Sequence, residues 1–78
     1  MSETFDEVRT IIGNLTGAQK DSITPDTRIR EDLWADSLDL IEVVLIFEDL
    51  LGMRISDQDI RKIQDTVGTA AHFLEMHR

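Results

Sequence analysis

Apolar side chains recur along this chain at the spacing of an α-helix. Phe5, Val8, Ile11, Ile12 and Leu15 fall on one face at roughly 3.6 residues per turn. Thr4 with Glu7 three positions on reads as a capping box. Gly17 reads as a stop. The pattern predicts a first helix over about Thr4 to Thr16, with Gly13 a mild interior cost. Residues 17–35 then hold Gly17, Pro25 and scattered charges with no long period. A loop of that length in so small a chain is unusual and is often functional. Ile23, Ile29 and Leu33 are expected to pin it to the core.

The pattern predicts a second helix from Ser37 to Leu51, ended by Gly52. Ser56 caps a short third helix with Asp59 at its third position and Ile60 and Ile63 as its buried side. Asp65 or Thr66 caps a last helix reaching about Met76. Val67, Ala70, Ala71 and Leu74 share its inner face, with Phe73 beside it. Met53-Arg54-Ile55 has strand-like composition, but a lone strand has nothing to pair with. The expected fold is all-α, a small four-helix bundle of three main helices and one short one, with a long first loop. At 78 residues it is expected to be one domain over 1–78.

The second helix has a pattern of its own. Turned at roughly 100° per residue, Leu40, Val43, Val44, Phe47 and Leu51 form one broad arc, the core side. Leu38, Ile41 and Leu45 form a second cluster about a third of a turn away. Asp39, Glu42 and Asp49, with Ile46 among them, line its far edge, and Glu48 interrupts the apolar surface on the other side. A bundle helix needs a single apolar stripe. An apolar shoulder with a charged rim is how a binding surface is built. The same pattern also suits a helix buried on more than one side, with the acids as its solvated face.

Ser37 heads this helix. Asp36 is a good N-cap and Asp39 suits the first turn and its dipole. That leaves Ser37 at the first helical position, not needed as a cap, with its hydroxyl toward water. A phosphate ester there would meet free backbone N–H groups at the positive dipole end. A plain first-turn serine satisfies the same pattern.

Charge narrows the choice of partner. Sixteen Asp and Glu against eight Lys and Arg give a net charge of -8. Phosphate binding needs a basic face, so nucleic acid is not expected as a partner. A basic protein partner fits better, through charge complementarity and steered encounter, although acidity also simply keeps a small protein soluble. From Glu31 to Met53 there are seven acids and no Lys or Arg. The absence of cysteine excludes disulfides and thiolate metal sites. MSETFDEVRT lacks the basic and apolar regions of a signal peptide, and no apolar run reaches spanning length, so the cytoplasm is the expected compartment.

Asp36-Ser37-Leu38 at the head of an acidic second helix resembles the acyl carrier proteins. The likeness continues in the turn Gly52-x-x-Ile55-x-Asp57 and in Lys62-Ile63 before the last helix, and covers nearly the whole chain. It implies a carrier of acyl groups in fatty-acid or related biosynthesis, and not an enzyme. Ser37 would be the attachment point of 4'-phosphopantetheine, installed from coenzyme A with Mg²⁺ by a phosphopantetheinyl transferase. The terminal thiol of that arm would hold acyl groups as thioesters, which resolves the missing cysteine. The resemblance assigns Asp36, Asp39, Glu42, Glu48 and Asp49 to contact basic patches on acyl-synthase and acyltransferase enzymes. It gives Leu38, Ile41 and Leu45 as the apolar contacts, on a chain expected to be monomeric. The core side of the second helix would open to an acyl chain, at about 0.8 kcal/mol per buried methylene. A specialised carrier of aminoacyl or polyketide units is the alternative within this class; outside it stands an unmodified acidic adaptor docking through the second helix.

The chain departs from the family at three places. Trp34 stands where glycine is usual, three residues before Ser37, and is expected to anchor the loop; it could instead shield the arm or narrow access to the serine. Leu50 replaces a frequent acid, and the segment from Ile63 to Val67 is one residue longer than usual. Other chemistry fits poorly. An EF-hand starting at Asp32 would need Gly at Ser37 and Glu at Val43. His72 and His77 are five apart, off the spacing that aligns a helical metal pair, so no metal is expected and both read as surface residues. Ser37 has no nearby His to make a hydrolase pair.

Overall fold

The structure is a computed structural model describing residues 2–78. Helix α1 spans Glu3–Thr16 and starts one residue earlier than its pattern predicts. Ser2 is the cap, its hydroxyl accepting from the Phe5 N–H at 3.1 Å. Thr4 is therefore not the capping residue: it is buried inside the first turn, where its hydroxyl accepts from Arg78 at 3.4 Å. That bond, and the 2.6 Å pair of Arg78 with Glu7, hold the end of the last helix against α1. Phe5, Val8 and Ile12 form the buried stripe of α1, while Ile11 is only half-buried.

Helix α2 is Ser37–Leu51. It stops where Gly52 turns left-handed at φ 63°, its N–H bonded to the Glu48 carbonyl at 2.9 Å. A residue without Cβ takes that conformation at least cost. Helix α3, Asp57–Ile63, starts at Ser56, whose hydroxyl accepts from the Asp59 N–H. Helix α4, Val67–His77, is capped by Thr66 in a reciprocal pair with Thr69. Among the described residues there is no extended strand.

α1 packs most extensively on α4, and α3 leans on α4 as well. The shared core includes Phe5, Ile12, Phe47, Ile63, Val67 and Leu74, with Phe73 also buried. The arc Leu40, Val43, Val44 and Phe47 is the buried side of α2. Each such side chain contributes about 1.5–3 kcal/mol by leaving water.

The long loop is ordered, and the start of α4 orders it. The first N–H groups of a helix have no partner within it. Here Val67 donates to the Thr27 carbonyl at 2.9 Å and Gly68 to the Pro25 carbonyl at 2.9 Å. Ile29 N–H returns a bond to the Asp65 carbonyl at 3.0 Å. Ile23 and Ile29 are fully buried and Leu33 partly, as their apolar character predicts. A single turn of 3-10 helix at Lys20–Ser22 and the turn closed by Asp32 on the Arg28 N–H at 2.8 Å take up the rest. The loop therefore delivers residue 36 to a fixed place.

Candidate functional site

Asp36 begins α2 with a two-way clasp. Its carboxylate accepts from the Asp39 N–H at 2.9 Å, and Asp39 accepts from the Asp36 N–H at 3.4 Å. The clasp uses the third N–H of the helix, while the fourth, on Leu40, goes to the Asp36 carbonyl at 3.1 Å. The N–H groups of Ser37 and Leu38 meet no acceptor among the described residues. Ser37 itself is exposed, at the first helical position, with its hydroxyl free of hydrogen bonds among the described residues. An exposed hydroxyl beside two free N–H groups, at the positive end of a fifteen-residue helix, suits a substituent that brings negative charge.

The apolar shoulder of α2 is real and uncovered. Leu38 is 66 % exposed, Ile41 53 % and Leu45 53 %. Asp36, Glu42 and Asp49 are exposed around them. No acid of α2, nor Asp36, is in an ion pair among the described residues. The reading of α2 as buried on more than one side is thereby overturned, since a second buried face would have covered Leu38, Ile41 and Leu45. Ile46 is half-buried; Leu50 and Met53 are exposed as well, but Leu50 lies with Ile46 toward Ile11 of α1, away from this shoulder.

Two acids on this helix also have work inside the fold. Asp39 is half-buried in the clasp. Glu48 is half-buried too, with Oε2 accepting from the Ile55 N–H at 2.8 Å. That bond ties the turn after α2 back to the helix and helps seat buried Ile55. Nothing in the local sequence marks it, because the two residues are seven apart with a reversal between them.

Trp34 does not anchor the loop. It is 88 % exposed, and its backbone is left-handed at φ 56°. The anchor is its neighbour Ala35, which is buried and donates to the Ile29 carbonyl at 3.4 Å. A small residue next to a tryptophan gives no sequence signal of that role.

The remaining candidates lie away from Ser37. A depression of about 610 Å³ lies between the loop and α4, with Pro25, Lys62, Phe73 and Met76 in its wall. His77 at its edge is stacked on Phe73, and its Nδ1 lies 2.8 Å from the Phe73 carbonyl oxygen. Leu40, Val43 and Phe47 are closely packed, so an acyl chain enters the core side of α2 only if they part.

Residues 6–74 match the family model described as the phosphopantetheine attachment site. A solved structure of the acyl carrier protein from Enterococcus faecalis is 38 % identical, with a TM-score of 0.79, covering 97 % of this chain and 95 % of that one. The uncovered serine at the head of an acidic helix fits the group such a family bears: the linkage is anionic, needs a reachable hydroxyl, and adds charge where free N–H groups await it. The match over most of its length and the likeness in both fold and sequence place this chain in the acyl carrier protein family, whose members are carriers and not catalysts and whose prosthetic group is 4'-phosphopantetheine.

Proposed function

We propose that Ser37 bears the 4'-phosphopantetheine of this carrier and that the exposed side of α2 presents it to partner enzymes. The observation that carries this is the free, exposed Ser37 hydroxyl beside two unpartnered N–H groups at the start of α2. When bound, the group supplies a thiol that holds acyl units as thioesters. The chain's own residues do the rest. Ser37 Oγ would attack the pantetheine-bearing phosphorus of coenzyme A, forming the phosphodiester as the pyrophosphate bond breaks and adenosine 3',5'-bisphosphate leaves, and its proton would go to the modifying transferase. The N–H groups of Ser37 and Leu38 and the helix dipole favour the new negative charge. Asp36 Oδ1 is held in the cap with Asp39, and proton removal is assigned to the partner.

Leu38, Ile41 and Leu45 form the apolar centre of the docking surface, with Asp36, Asp39, Glu42, Glu48 and Asp49 as its acidic rim. Glu48 keeps one carboxylate oxygen for a partner while the other holds Ile55. The partners fitting this surface are a phosphopantetheinyl transferase and acyl-synthase or acyltransferase enzymes with basic patches. The cargo is an acyl intermediate of fatty-acid or related biosynthesis. Among the described residues no helix is long and apolar enough to cross a membrane. A monomer in the cytoplasm is the setting we infer.

The test is intact mass after incubation of the apo chain with coenzyme A, Mg²⁺ and a broad-specificity phosphopantetheinyl transferase. Wild type should gain one phosphopantetheine and Ser37→Ala none. A gain in Ser37→Ala would move the site to another residue.

A further inference from the structure

Trp34 occupies a backbone conformation that disfavours it. Its φ of 56° is left-handed, and it is the one non-glycine residue so placed among the described residues. There Cβ crowds the following carbonyl oxygen, and glycine carries the least cost. The side chain recovers nothing inside the fold, being 88 % exposed. The exposure is built in and does not come from fraying. On one side Leu33 packs against the core; on the other Ala35 is buried and bonded to the Ile29 carbonyl. With both neighbours turned inward, the indole is held out in water.

Backbone outliers persist where the surrounding structure over-determines them, and they gather at sites of function. An exposed tryptophan is also the side chain that interfaces most often use as an anchor. The charge on its C-terminal side specifies the partner's: Arg28 and Arg30 precede it, with Arg28 paired to Glu31 at 3.9 Å, but Asp36 and the acids of α2 follow it with no Lys or Arg up to 53. Trp34 precedes Ser37 by three residues, a backbone reach of at most roughly 11 Å, which puts it within the footprint of an enzyme working at the Ser37 hydroxyl. A basic surface gains there from the acids and from a cation set over the indole face.

We propose that Trp34 is a recognition anchor for the transferase that modifies Ser37, received in a recess rimmed by arginine or lysine on that enzyme. The proposal rests on Ser37 being the modified residue. Its test uses the full apo chain as wild type, W34A, W34G and W34F, with a broad-specificity phosphopantetheinyl transferase, coenzyme A and Mg²⁺, followed by intact mass. KM should rise roughly tenfold or more in W34A and W34G, as for loss of a buried aromatic anchor, with kcat little changed. W34F should recover part of the loss. Thermal melting by circular dichroism separates docking from folding, because W34G should melt higher than wild type while docking worse. A KM unchanged or lowered in W34A and W34G overturns the anchor. So does modification of W34G with none of wild type, since the indole would then exclude the enzyme. Modification of neither sinks the assignment of Ser37 itself.

Discussion

Trp34 is a large apolar side chain in a loop, and burial is the ordinary expectation for one. Its left-handed φ of 56° and 88 % exposure come from where Leu33 and Ala35 are anchored, which no local pattern encodes. The consequence for stability can be weighed. The left-handed conformation costs an L-residue roughly 1–2 kcal/mol, while glycine loses about 0.4–1 kcal/mol more through its freer unfolded chain. Relief of strain is the larger of the two. Trp34→Gly should therefore raise the melting temperature by a few degrees, since about 1 kcal/mol corresponds to roughly 4–8 °C in a chain of this size. Trp34→Ala keeps the strained Cβ and loses almost no packing, so its melting temperature should stay near that of wild type. Equal shifts in the two variants would remove strain as the explanation. Ser2 and Thr4 teach the same point on a smaller scale: both suit a cap, and Ser2 makes it while Thr4 is buried in the first turn beside Arg78 from the far end of the chain.

At the level of elements, α2 was the most legible part. Its two apolar faces are separated by rotation alone, and the arc Leu40, Val43, Val44 and Phe47 is the one buried. Asp36, Asp39 and Gly52 mark its ends by chemistry that acts within a few residues. The loop before it was legible only as anchors. Ile23 and Ile29 announce themselves as apolar, but the carbonyls of Pro25 and Thr27 that meet the first N–H groups of α4 carry no side-chain signal. Gly68 is the exception worth testing. A Cβ there would stand 2.7 Å from the Pro25 carbonyl oxygen and 3.2 Å from Pro25 Cβ. Alanine is the better helix former by about 1 kcal/mol, yet overpacking a close contact costs roughly 1–3 kcal/mol. The contact is with backbone, which cannot swing aside, so the clash prevails. Gly68→Ala should lower the melting temperature by several degrees and speed amide exchange at Val67 and residue 68. A variant as stable as wild type would mean that the loop slides on α4 at no cost.

Over the whole molecule, charge is the quantity that matters. The formal net charge is -8, and a large net charge opposes compactness through self-repulsion. The ion pairs present do little against it. Arg28–Glu31 and Lys62–Asp59 each join residues three apart, and Arg78–Glu7 lies at the surface; exposed pairs of this kind contribute about 0–1 kcal/mol, and Arg9–Asp6, with Arg9 half-buried, adds one more within α1. The acids of α2 have no ion-pair partner among the described residues, so their repulsion is relieved only by solvent ions. Raising NaCl from about 10 mM to about 150 mM shortens the screening length from about 30 Å to about 8 Å, and the melting temperature should rise with it. Among the described residues no three carboxylate or histidine side chains gather as metal ligands. Millimolar Mg²⁺ should therefore stabilise by screening and diffuse association, with no sharp saturation at one equivalent. The same field acts in the opposite direction on docking. Salt that stabilises the free chain should slow its association with a basic transferase, because steering across a charged interface is lost as screening grows. Melting temperature and association rate measured over one salt series should thus move in opposite directions. A melting temperature flat in both NaCl and Mg²⁺ would mean that the acidic face of α2 is spaced widely enough to cost the fold nothing.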